Sequence, residues 1–129
     1  MINDIVLEPV GGEFDVSSIR AHLDSLPSAV RDPVNLAQYL MASDVDVLRE
    51  GVVQRRQHPE RVPYTLTIVA PTASRILLAF RGTDTAPARA FVQWLRERLQ
   101  IRILDHDFND FTTESLNNLD FLFGPESAS

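Results

Sequence analysis

The sequence predicts an α+β fold: a two-layer sandwich in which a mostly antiparallel sheet of four or five strands carries helices packed on it. Three observations predict it. Tyr64 to Ala70 (YTLTIVA) and Ile76 to Phe80 (ILLAF) are β-forming runs joined by the short turn Pro71-Thr-Ala-Ser74, the pattern of an antiparallel hairpin. Ala86 to Leu99 sets Phe91, Val92, Leu95 and Leu99 at spacings of three to four, with Trp94 beside them, as one buried stripe of an amphipathic helix requires. The chain has 129 residues, 44% of them hydrophobic, enough to bury a core without staples. Residues 1–124 read as one domain and 125–129 as a frayed tail.

Taken in order, Asp4 to Val10 (DIVLEPV) reads as a first strand, with Pro9 marking an edge or an end. Gly11-Gly12 is a turn. Asp15 to Leu26 opens on a capping aspartate or serine and spaces Val16, Ile19, Leu23 and Leu26 as a helix, which Pro27 ends. Pro27 to Pro33 reads as a loop, because the residue before each proline is pushed from helical geometry. Asn35 to Ala42 is ambiguous by propensity and is taken as a strand. Asp44 to Gln57 places Val45, Leu48 and Val52 on one helical face, and the cations of Arg55 to Arg61 (RRQHPER) suit a helix C-terminus without any ligand. Ile76 to Phe80 is a continuous apolar run, expected to be covered on both faces. After the amphipathic helix, Ile101 to Leu104 is a further strand, Asp105 to Asp110 a polar loop, and Glu114 to Phe123 a last short helix stopped by Gly124-Pro125.

Composition removes several function classes. Cysteine is absent, which excludes disulfides, thiolate catalysis and cysteine-ligated zinc. All twelve basic residues are arginine, so neither a Walker-type phosphate loop nor a Schiff-base lysine is available. No stretch reaches the length of a membrane span, and the amino terminus lacks a signal-peptide pattern, so the expected compartment is the cytoplasm, with no membrane contact. The net charge of -6 hides a block pattern: residues 1–50 carry nine acids and three arginines, residues 51–102 three acids and nine arginines, and residues 103–129 six acids and no base. A pI near 4.9 argues against nucleic acid as a partner.

The turn between the hairpin and the amphipathic helix is the first candidate site. Arg81-Gly82-Thr83-Asp84 enters a helix N-terminus, where free amides, the dipole and the Arg81 guanidinium suit an anion; alternatively Thr83, Asp84 or Thr85 caps the helix. The segment Leu78-Ala79-Phe80-Arg81-Gly82-Thr83, with Trp94-Leu95 downstream, resembles the strand and oxyanion turn of class 3 lipases, and the resemblance implies an oxyanion-stabilising role for Thr83. It covers about a tenth of the chain. No Gly-x-Ser-x-Gly elbow is present, so the likeness is read as local convergence.

The acidic loop is the second candidate. Asp105, Asp107 and Asn109 open a calcium-loop pattern, but Asp110 stands where its glycine belongs and Leu116 where its glutamate belongs, so no metal and no cofactor is expected. His106 between two aspartates is a candidate general base. His22, His58 and His106 are too scattered in sequence to suggest a metal site. On the amphipathic helix Arg89, Gln93 and Arg96 share an outer stripe suited to an acidic partner, while Phe108 and Phe111 form a partner-binding patch where the core leaves them exposed.

These features predict a non-enzymatic soluble binding or adaptor protein that acts through charge-complementary protein contacts, by the arginine stripe or the acidic 105–120 segment. A small enzyme is the alternative, with Arg81 and Thr83 holding an anionic substrate and His106 with Asp105 or Asp107 as acid–base pair. A self-associating structural protein, its opposite charge blocks meeting between copies, is a third reading.

Overall fold

The computed structural model describes residues 4–80, 84–113 and 123. The Arg81-Gly82-Thr83 turn, most of the expected 114–123 helix and the expected 125–129 tail therefore lie outside the described residues. Among the described residues the elements run β1 (Asp4–Pro9), α1 (Val16–Asp24), β2 (Ala29–Arg31), β3 (Tyr39–Met41), α2 (Val45–Gln57), β4 (Thr67–Pro71), β5 (Ile76–Ala79), α3 (Ala86–Arg96) and β6 (Ile101–Asp105). The α+β architecture matches the expectation. Every pairing among these strands is antiparallel, in the order β2-β3-β4-β5-β1-β6, and the hairpin expected from 64–70 and 76–80 forms as β4 and β5.

Among the described residues the sheet has six strands, one more than the pattern suggested. The addition is β2, inside the stretch read as a loop between Pro27 and Pro33. Three residues are too few to show a period, and the strand exists because its edge pairs with β3, Val30 opposite Leu40. Asn35–Ala42 yields a strand at Tyr39–Met41 preceded by a turn in which the Gln38 amide donates to the Asn35 carbonyl.

Register separates two faces. Along the inner face run Arg31–Tyr39–Val69–Leu78–Ile5 and Pro71–Ile76–Leu7–Ile103, cross-strand neighbours rung by rung. Ile19 and Leu23 of α1 and Ala88, Phe91, Val92 and Leu95 of α3 close over them, with Phe123 packed into the same cluster. Along the outer face Val30–Leu40–Ile68–Ala79 forms a second row. Leu48 of α2 covers it together with Val47, Val52 and Leu66. The layer of α1 and α3 thus completes the expected sandwich, and α2 adds a partial third layer over β2 to β5.

The first cap follows the sequence, the second is one the sequence reading did not single out, and the third departs from expectation. Asp15 accepts from the Ser18 amide, and Asp44 from the Asp46 and Val47 amides. Helix α3 begins at Thr85, whose side chain makes no cap bond. Asp84 does not cap it. Its carboxylate instead accepts from the Ser43 amide and hydroxyl at 2.8 and 2.6 Å, tying the β3–α2 junction to the start of α3.

A second correction concerns the RRQHPER cations. Arg55 is buried, not solvated at a helix end: its Nε lies 3.2 Å from both oxygens of Asp32, and its Nη1 donates to the Pro59 and Arg61 carbonyls. Asp32, fully buried, also accepts from the Val34 amide and the Gln38 side chain. Burial alone would raise its carboxyl, yet the bonds from Arg55, Val34 and Gln38 outweigh burial and hold it below the usual carboxylate value. This group pins the end of β2 to α2 and to the loop after it.

Candidate functional site

The outer face is covered by α2 over one half and only partly open over the other, where Leu77 is exposed, Val6 and Ala70 are half-buried and Leu104 on β6 is buried. One rung runs Ala70–Leu77–Val6–Leu104–Asp110, and the next sets Glu8 opposite Arg102. Helix α2 stops short of these positions. Leu77, in the run expected to be covered on both faces, is 44% exposed at mid-sheet, while its neighbours Ile76 and Leu78 are fully buried. The apolar run is therefore covered on the inner face alone at Leu77. Alternation in β5 was hidden because the outward residue is as hydrophobic as the inward ones.

The acidic loop folds against this face. One Asp105 carboxylate oxygen accepts from the Asp107 and Asn109 amides at 2.8 and 2.9 Å, and the other from the Asn109 side chain at 2.9 Å. These bonds, led by the Asn109 side chain, hold its carboxyl below the usual carboxylate value. The Asp105 amide donates to the Asn109 carbonyl, and the Phe108 amide to the Asp105 carbonyl. The turn so closed puts Phe108 at φ 63°, a left-handed backbone that a bulky side chain rarely adopts. Phe108 is 53% exposed, and the Arg75 guanidinium lies over its ring at 5.0 Å. Arg75 in turn pairs with Glu8 at 3.0 Å. Beyond the turn, the Phe111 amide donates to the Ile103 carbonyl and Asp110 bridges Leu104, so residues 109–111 occupy the free edge of β6.

The other expected site residues are placed as follows. His106 Nε2 stands 3.3 Å from Asp107 Oδ2, with both side chains about 70% exposed. Such a pair is bathed in water, and Asp105 spends both oxygens on the turn. Phe111 is half-buried. On α3, Gln93 is exposed, Arg89 lies over the Phe123 ring at 5.8 Å, and Arg96 lines a cleft of about 670 Å³ with Val10, Leu99 and Thr112. Arg98, absent from the expected stripe, stacks on Trp94 at 4.2 Å. His22 stacks against Trp94 at 3.9 Å, and burial, then the Arg98 charge, pushes its imidazole below the ordinary value. A larger cleft of about 850 Å³ opens between α2 and residues 61–65, lined by Val47, Glu50, Gln54, His58 and Tyr64.

Sequence reading reached Phe108 and the acidic loop and missed Leu77, Val6, Arg75 and Glu8. The missing signal is which strands a helix covers. No group of three or more His, Asp or Glu among the described residues is arranged to hold a metal ion. No helix among the described residues is long and apolar enough to cross a membrane. Comparison with known family models, curated proteins and solved structures finds no match for this chain.

Proposed function

We propose that this protein is a non-enzymatic binding or adaptor protein that engages a protein partner through the partly open outer face of β4, β5 and β1, with Phe108 as its anchor. The observation that carries the reading is Phe108 itself: a half-exposed aromatic held in a left-handed turn by Asp105, above a sheet face that α2 leaves open. Strained, displayed aromatic side chains are characteristic of contact anchors, which fill a partner's pocket at low conformational cost. Leu77 and Val6 supply the apolar floor, and the Glu8–Arg75 pair supplies a polar rim.

The test is a photo-reactive phenylalanine analogue at position 77 in cells, with a second probe at Gln57, the last residue of α2, as control. A discrete protein adduct from position 77, lost on Phe108→Asp and absent from position 57, is the expected result. No adduct from position 77, or equal adducts from both positions, would refute the reading.

A further inference from the structure

Resting on that reading, we infer that the partner presents a basic amphipathic helix that lies across β4, β5 and β1 beside α2, along Ala70, Leu77 and Val6. Width is the first argument. Neighbouring strands lie about 4.8 Å apart, so three strands span about 10 Å, the diameter of one helix with its side chains. The covered half of the outer face is already filled by a single helix of this kind: α2 seats Leu48, Val47 and Val52 on its row. The half that α2 leaves, with Leu77 exposed and Val6 and Ala70 half-buried, offers the same kind of seat without an occupant among the described residues. Phe123 is buried in the opposite, inner cluster, so the chain at that point is committed to the other side of the sheet.

Edge pairing is the second argument. A partner strand has no free β6 edge to extend, because residues 109–111 already pair there. The partner must dock on the face.

Charge decides the chemistry. Among the described residues, Asp4, Glu8, Asp105, Asp107 and Asp110 stand against Arg75 and Arg102 on this face and its loop, five carboxylates to two guanidiniums, a net charge of -3 for these described groups. Arg75 is taken up by Glu8 and the Phe108 ring, and Arg102 acts on Asp110. A second copy of this chain would set the same negative rim against itself. Arginine or lysine flanking an apolar stripe would meet it with complementary sign and be steered to it.

Three synthetic peptides of about 14 residues, some 21 Å as a helix and the length of a six-residue strand, distinguish the possibilities. The first has a leucine stripe flanked by arginines, the second the same stripe flanked by glutamates, the third the first composition scrambled to destroy the stripe. Each is titrated into the full chain while the methyl resonances of Val6, Ala70 and Leu77 are followed. The first peptide alone should shift these methyls and gain helical circular dichroism, with binding about tenfold weaker at 0.5 M salt than at 0.05 M as the rim is screened. Leu77→Asp should abolish the shifts, and Asp4→Asn/Asp107→Asn should weaken them severalfold. Shifts from the acidic or scrambled peptide equal to those from the first, or no shifts from any peptide, would overturn the inference. If the position-77 probe still forms its adduct in that case, the adaptor reading stands and only the helical, basic partner is wrong.

Discussion

Removing Asp32 tests the packing that holds α2 over its half of the sheet. In Asp32→Ala the Arg55 guanidinium, 7% exposed, keeps its carbonyl partners Pro59 and Arg61 but loses its counter-charge. The Val34 amide and the Gln38 side chain lose their acceptor as well. Breaking a buried pair by deleting one partner costs about 3–5 kcal/mol, because the remaining charge stays desolvated. For a chain of this size that corresponds to a fall in Tm of about 10–20 °C. Arg55→Met should cost a similar amount, since it strands a fully buried carboxylate. The double variant Asp32→Leu/Arg55→Met should be less destabilised than the sum of the two single changes, because neither buried charge remains. The assay is urea unfolding of the four proteins, followed by circular dichroism. A single-variant cost below about 1 kcal/mol, or strictly additive costs, would show that the pair is solvated and that β2 is not pinned to α2 in the way described.

Further outcomes follow from other contacts. Phe108→Asn should leave stability unchanged or raise it by up to about 1 kcal/mol, since asparagine accepts the left-handed backbone, while abolishing the position-77 adduct; thermal melts beside the crosslinking assay report both. Asp105→Ala removes the acceptor of the Asp107 and Asn109 amides and should lower the urea midpoint, with hydrogen exchange of those two amides accelerating first. Trp94 is the single tryptophan and His22 stacks on it, so its fluorescence should be quenched as His22 is protonated. Because the folded-state imidazole is pushed below its ordinary 6.5, the associated stability is complete above pH 6.5 and is lost as pH falls through the lower folded value; the fluorescence midpoint should lie below 6.5 and vanish in His22→Gln. Ser43→Ala should cost about 1–2 kcal/mol in urea unfolding, because the Asp84 carboxylate loses its hydroxyl donor between α2 and α3.

Elements with a long period were legible in the sequence. The stripe of α3, the Asp15 cap and the β4–β5 hairpin each arise from local chemistry, and they form where the spacing puts them. Illegible features depend on partners distant in sequence. β2 is a strand only because β3 lies beside it, and Arg55 reads as an ordinary helix-end cation until Asp32, remote along the chain, is placed against it. Leu77 is the instructive case at the site. Nothing in Ile76-Leu77-Leu78-Ala79-Phe80 marks one leucine as different, and the difference arises because α2 reaches Ala79 and not Leu77. Phe108 was legible as a candidate from its polar surroundings, whereas its left-handed backbone required the Asp105 turn to be seen.

Solvent contact of individual methyl groups bears on all of this at once. With a soluble paramagnetic agent added to the methyl-labelled protein, Leu77 and Val6 should relax strongly while Leu40 and Ile68, under α2 on the same face, stay shielded. Equal shielding of both pairs would mean that the outer face has no open half, and the proposed binding surface would not exist.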